Sequence, residues 1–119
     1  MAFEIIYAKG SRDHSELESF IAKLGERIDT SKDDRILYRQ IYSFIKVVEG
    51  SGTRKGKPHV KFVQGDLWEL KPGNVRILFS VEGNKIVLLN YFFKKTQKTP
   101  QREINKAKRM LKRWRDEQR

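Results

Sequence analysis

An α+β fold is predicted from three observations. Two amphipathic helical segments come first, three short strand-like segments separated by tight-turn residues follow, and one more amphipathic helix closes the chain. Helices followed by hairpin-linked strands imply an antiparallel sheet with helices packed on it, because a parallel sheet needs a helical crossover between successive strands. The expected architecture is an N-terminal strand and a helix hairpin packed on a twisted antiparallel sheet, plus a C-terminal helix, in a single domain spanning residues 1–119.

Phe3-Glu4-Ile5-Ile6-Tyr7 is rich in β-formers and reads as a short strand, broken by Gly10 and Ser11. Asp13 with Glu16, or Ser15 with Glu18, offers the start of a helix. Leu17, Phe20, Ile21, Leu24 and Ile28 recur at helical spacing, and after the polar stretch 29–34 so do Leu37, Ile41, Phe44, Ile45 and Val48. Gly50 and Gly52 end this second helix, and the short link makes the two an antiparallel hairpin. Residues 50–59 form a basic, glycine-rich loop in which Arg54, Lys55 and Lys57 are candidates for phosphate contact. Leu67 to Lys71, Val75 to Val81 and Ile86 to Phe93 read as three strands, turned by Pro72-Gly73 and Gly83-Asn84. Thr99 and Pro100 open the last helix, whose apolar stripe runs through Ile104, Ala107, Met110 or Leu111, and Trp114.

Composition narrows the function. Lys and Arg total 26 against 15 Asp and Glu, a net charge of +11. An excess this large points to a polyanionic partner such as nucleic acid or a ribosome. The longest apolar run, Ile86 to Leu89, is far short of the roughly 20 residues of a membrane span, and no secretory leader is evident near Glu4. Cysteine is absent, which excludes disulfides, thiolate metal sites and cysteine nucleophiles. The two histidines, His14 and His59, fit no metal-ligand spacing, so the expectation is chemistry without metal or cofactor.

Tight loops fix register, which predicts Glu69 opposite Arg76 and Arg76 opposite Tyr91. One sheet face then carries Trp68, Leu70, Val75, Ile77, Phe79, Val81, Ile86, Leu88 and Phe92. The other carries Leu67, Glu69, Lys71, Asn74, Arg76, Ser80, Tyr91 and Phe93, with Lys95 following by parity. Arg76 in an otherwise apolar strand has two readings. It is a cross-strand partner of Glu69 on a wet face, or the centre of a polar cleft with Glu69, Tyr91 and Lys95. The lysines of Lys94-Lys95-Thr96-Gln97-Lys98 stand beside a helix start, where anions are attracted.

These same residues carry a resemblance. Leu67-Trp68-Glu69-Leu70-Lys71-Pro72, Val75-Arg76-Ile77-Leu78-Phe79 and Ile86-Val87-Leu88-Leu89 resemble the RelE/ParE toxin superfamily. The run Phe93-Lys94-Lys95-Thr96-Gln97-Lys98-Thr99-Pro100, with Glu103-Ile104 and Ala107, is similar to its HigB-like, phage-derived branch. The resemblance implies a RelE-like fold and a cytoplasmic toxin of a type II toxin–antitoxin pair. Such toxins are endoribonucleases that cut messenger RNA in the ribosomal A site. The implied partner is a HigA-like, helix-turn-helix antitoxin, held with the toxin in a hetero-oligomer. Arg76 matches the arginine of the family's central strand, Lys95 or Lys94 its basic residue after the last strand, and Lys71 its basic position before the turn. Glu69 stands where some relatives have lysine, and no tyrosine or histidine follows residue 100, where many relatives place a catalytic one.

Cutting RNA requires a proton taken from the 2′-hydroxyl, a stabilised phosphate and a protonated leaving oxygen. Arg76 suits the phosphate, because guanidinium grips its oxygens in a fork. Lys95 and Lys94 suit the developing charge. Glu69 is a base or an orienter of Arg76, and Tyr91 an acid–base or a stacking group. Lys71, Lys98, Arg54, Lys55, Lys57 and His59 are the candidate RNA contacts. The rival readings are a ParE-like toxin acting on DNA gyrase without nuclease activity, and a basic ribosome- or RNA-binding module.

Overall fold

The computed structural model describes residues 2–54 and 59–119. Strand β1 (Glu4–Tyr7) leads into helices α1 (Glu16–Glu26) and α2 (Lys32–Ser51). Strands β2 (Val60–Gln64), β3 (Leu67–Leu70), β4 (Val75–Glu82) and β5 (Lys85–Phe93) follow, and helix α3 (Gln101–Glu117) ends the chain. The result is a mixed α+β arrangement, a five-stranded sheet in the order β1-β5-β4-β3-β2 with three helices among the described residues.

Local chemistry sets the helix limits. Ser15 is the cap of α1, its hydroxyl accepting the Glu18 N–H at 3.0 Å, and Ser31 does the same for α2 through Asp34 at 3.2 Å. Helix α2 passes through Gly50 and stops at Gly52, which takes φ 58°, a left-handed value that glycine adopts without strain.

The sheet departs from expectation in three ways. First, β1 pairs with β5 in parallel, Ile5 opposite Ile86, so the sheet is not purely antiparallel. A two-residue turn obliges its strands to run antiparallel, but β1 reaches the sheet through the helix pair and is free of that constraint. Second, Val60–Gln64 is an edge strand, where no strand was expected between the second helix and Leu67. Third, both inner registers differ. Glu69 lies opposite Leu78 because residues 71–74 form the whole link between β3 and β4. The β4–β5 hairpin starts as expected, Glu82 opposite Lys85 and Phe79 opposite Leu88, but Ile77 then faces Tyr91 and Arg76 faces Phe92. Leu89 and Asn90 together oppose Leu78, a β-bulge.

That one inserted residue reverses the parity of the rest of β5. Tyr91 and Phe93 pass to the side of the helix hairpin, and Phe92 passes to the side of Arg76. Asn74, in the link, also borders the hairpin side.

Each sheet face is covered. Under α1 and α2, Leu70, Val75, Ile77, Phe79, Ile86 and Leu88 meet Leu17, Leu24, Ile41 and Val48. Under α3, Leu67, Leu78, Val87 and Leu89 meet Ile104, Ala107, Met110 and Leu111, so the stripe on α3 is core. Each such Val, Leu, Ile, Phe or Met side chain contributes about 1.5–3 kcal/mol when buried. Polar clasps fix α3 at both ends. Near its start the buried Asn90 donates to the Glu103 carbonyl at 3.1 Å and to its carboxylate at 3.0 Å. Near its end Arg115 holds Glu82 at 2.8 Å and Asp66 at 2.9 Å, and Arg113 reaches the Gly10 carbonyl. No described helix is long and apolar enough to cross a membrane.

Candidate functional site

The site forms where the α3-side core gives out, at the Arg76 end of β4. Arg76 Nη1 donates to the carbonyls of Gly73 at 2.9 Å and Val75 at 2.8 Å. Gly73, in the loop that anchors the arginine, takes φ 56°, a left-handed value at which any side chain would be strained. Arg76 Nε lies 3.8 Å from Glu69 Oε1, with both side chains at most 10% exposed. The pair is therefore buried and diagonal across the strands. It is neither directly opposed nor at a wet face, because α3 and the segment before it cover this end of the sheet. Glu69 Oε2 accepts the Thr99 hydroxyl at 2.8 Å. Thr99 consequently does not cap α3, whose first turn starts at Pro100 without a side-chain cap. It ties the segment 94–100 to the sheet instead. Among the described residues Arg76 Nη2 has no hydrogen-bond partner.

Around this arginine is a cleft of about 80 Å³, lined by Lys61, Lys71, Lys94 and Lys98 with Glu69, Phe92 and the 96–99 backbone stretch. A small cleft lined mostly by cations suits a phosphate group. Five cations face a single carboxylate there. Glu69 is fully engaged by Arg76 and Thr99, which suits it to hold the guanidinium in place. Among the described residues no three His, Asp or Glu side chains converge as a metal site.

The sequence-predicted residues divide accordingly. Arg76, Glu69, Lys71, Lys94 and Lys98 come together. The bulge exchanges Lys94 for Lys95, which lines the adjoining groove of about 620 Å³ with Arg102 and Glu103. Tyr91 stacks on Phe20 at 4.3 Å on the opposite face, away from Arg76. Burial there, with the charge of Glu16 as a smaller cause, raises its phenol above the usual value. The His59 ring packs against Phe44 of α2 at 4.8 Å and does not line the cleft. Arg54 donates to the Ser51 carbonyl at the end of α2, also outside the cleft. Lys55 and Lys57 lie outside the described residues. Lys61 is the cation that sequence reasoning missed. It stands on β2 directly opposite Glu69, and the alternation of Val60-Lys61-Phe62-Val63 before the Gly65-Asp66 turn was the available signal.

A second groove, about 540 Å³, lies between α1, α2 and Phe93. It is larger, but its charges include the Arg27–Asp34 pair at 3.6 Å, and no cluster of cations converges on it. The small cleft, not this groove, has the chemistry of an anion site.

Comparison with known proteins agrees in extent with this picture. The model of the family described as phage-derived protein, Gp49-like (DUF891), matches residues 29–112, from the end of the α1–α2 link through most of α3. No curated protein matches the chain.

Proposed function

The chain belongs to the phage-derived Gp49-like family, known as RelE-like toxins of type II toxin–antitoxin pairs, and from that premise we propose that the Arg76 cleft cuts RNA. In this reading the protein is a HigB-like, ribosome-dependent endoribonuclease that cleaves messenger RNA and stops translation. A separately encoded helix-turn-helix antitoxin neutralises it. The observation that carries the reading is Arg76 itself. Its Nη1 is fixed by two backbone carbonyls, its Nε lies beside a buried carboxylate, and four lysines ring it.

The proposed reaction is an in-line transesterification. The 2′-oxygen attacks the adjacent phosphorus as its proton passes to solvent water, the bond to the 5′-oxygen breaks as that oxygen gains a proton, and the products are a 2′,3′-cyclic phosphate and a 5′-hydroxyl. Arg76 meets the non-bridging oxygens, where charge accumulates in the transition state. Lys94 and Lys98, on the segment tied down by Thr99, stand beside the departing 5′-oxygen and supply its proton. Glu69 acts through Arg76 as a positioning residue. Tyr91 takes no part. Most of the rate enhancement then comes from preorganised positive charge, and the ribosome aligns the message in the small cleft.

Arg76→Lys tests the reading. It keeps the charge, spares Glu69 from a buried position without a cation, and removes the fork. Message cleavage mapped by primer extension after induction is expected to fall about 100- to 1000-fold, the cost of losing one transition-state donor. Wild-type cleavage by the folded variant would remove Arg76 from the mechanism. A DNA-damage response with intact messages would replace the reading with gyrase inhibition.

A further inference from the structure

The bulge in β5 decides which aromatic ring stands beside Arg76. With strict alternation Tyr91 would face the arginine; with Leu89 and Asn90 both set against Leu78, Phe92 does. A bulge disrupts the local ladder, and beside a site it serves to re-aim a side chain. Directly opposed side chains on one sheet face have their Cβ atoms about 4.5–5.5 Å apart, so Phe92 and Arg76 are immediate neighbours. The Phe92 side chain is half-buried. Part of it packs on the α3-side core, and the rest borders both the cleft and the adjoining groove of about 620 Å³.

The cleft and this groove share Phe92, Thr96, Lys98 and Thr99 as lining, so one ligand can lie across both. On the groove side the apolar surface continues into Pro100 and into Phe93, which is 44% exposed. The exposed cations Lys95 and Arg102 border it. Glu103 lines it as well, but its carboxylate accepts from Asn90 at 3.0 Å and lies 3.7 Å from Arg102. The two cavities thus differ in chemistry. One is ringed by cations, and the other offers aromatic and apolar surface with cations at its margin. A nucleotide is divided in the same way, into an anionic phosphate and a flat base beside it. Aromatic side chains next to a cationic track receive single-stranded nucleic acid, because every base has a face to stack. An acidic peptide would match the cations and leave the rings without a partner.

We propose that the groove beside Phe92 is a nucleobase subsite, in which the base of a nucleotide flanking the phosphate on Arg76 stacks on the Phe92 ring. The proposal rests on RNA being the ligand of the cleft, and adds to it the place that takes a base. Phe92 binds and positions the strand and moves no proton.

The test measures binding of the full chain to an uncleavable 2′-O-methyl RNA of about 4 nucleotides, and to the same ribose-phosphate strand without bases. The wild type is expected to hold the intact strand about tenfold more tightly, within the range that one stacked base contributes. Phe92→Leu keeps an apolar side chain against the core and removes the ring. It is expected to lower affinity for the intact strand about tenfold and to leave the baseless strand unchanged, which also checks that its cleft is folded. Phe92→Tyr is expected to bind both strands as the wild type does. Equal affinity of the wild type for the two strands, or no binding of the intact one, would overturn the proposal. So would a Phe92→Leu loss of the same size on both strands, which would make the ring a packing residue alone. Arg76→Lys is expected to weaken both strands alike, since both carry the phosphates. A difference between the strands that persists while neither responds to Arg76→Lys would instead count against the cleft, so the two failures are distinguishable.

Discussion

The two faces of the sheet are built from the same strands and held by different forces. Under α1 and α2 the contact is apolar throughout, with Phe79, Ile77, Leu70 and Leu88 fully buried. Under α3 the apolar patch is smaller, and polar clasps finish the job at each end. The contrast teaches where a fold can place chemistry. A cleft needs buried charges with fixed partners, and these fit only where the apolar layer ends. Arg76 alternates along β4 with Val75 and Ile77, so the residues that bury the hairpin side also aim the arginine to the other.

The comparison breaks most severely at Phe79. Phe79→Ala leaves a cavity on the hairpin side and is expected to cost about 3–5 kcal/mol, measured by urea unfolding. Domain stabilities are about 5–15 kcal/mol, so the variant is marginal. A loss below about 1 kcal/mol would mean that this face is not the main source of stability.

The bulge permits a finer cut. With strict alternation Lys95 would face Arg76, and with the bulge Lys94 does. Lys94→Ala is therefore expected to lower message cleavage about tenfold, a change of about 1.4 kcal/mol, and Lys95→Ala much less. Equal losses, or the reverse order, would argue that the strand alternates through Asn90 in the active state.

This is also the point at which the sequence stops being legible. Helix phases, the Gly83-Asn84 turn and the location of Arg76 and Glu69 on one face all follow from periodicity and turn chemistry, which are local. The bulge does not. Leu89 and Asn90 look like two more strand residues, and what draws Asn90 out of step is its contact with Glu103, thirteen residues on and on another element. Lys61 was hidden for a related reason: β2 is an edge strand whose partner, Glu69, is identified only by pairing. Thr99 read as a helix cap because that is its local option, and a buried carboxylate thirty residues earlier in the chain offered it a better one. The direction of β1 rests on long-range geometry as well.

The smallest effect sharpens the comparison through pH. If only the α3 face depends on carboxylates, acid should weaken that face first. The hydrogen bond from Arg115 holds the Glu82 carboxyl below its ordinary value; burial opposes this, and the Ser80 hydroxyl adds to it. A carboxyl lowered on folding stabilises the protein above its unfolded pKa, about 4.3, and that contribution is lost as pH falls through the lower folded value. Arg115 is 42% exposed on its side chain, so solvent screens the pair and about 1 kcal/mol is the expected size. Glu82→Gln should thus unfold more easily than the wild type at neutral pH and converge with it as pH falls through the lowered folded value. Asp116, lowered by Lys112 within α3, titrates in both proteins and cancels from the difference. A gap that persists unchanged into acid would show that glutamine disrupts packing there, and that the clasp on α3 is held by shape more than by charge.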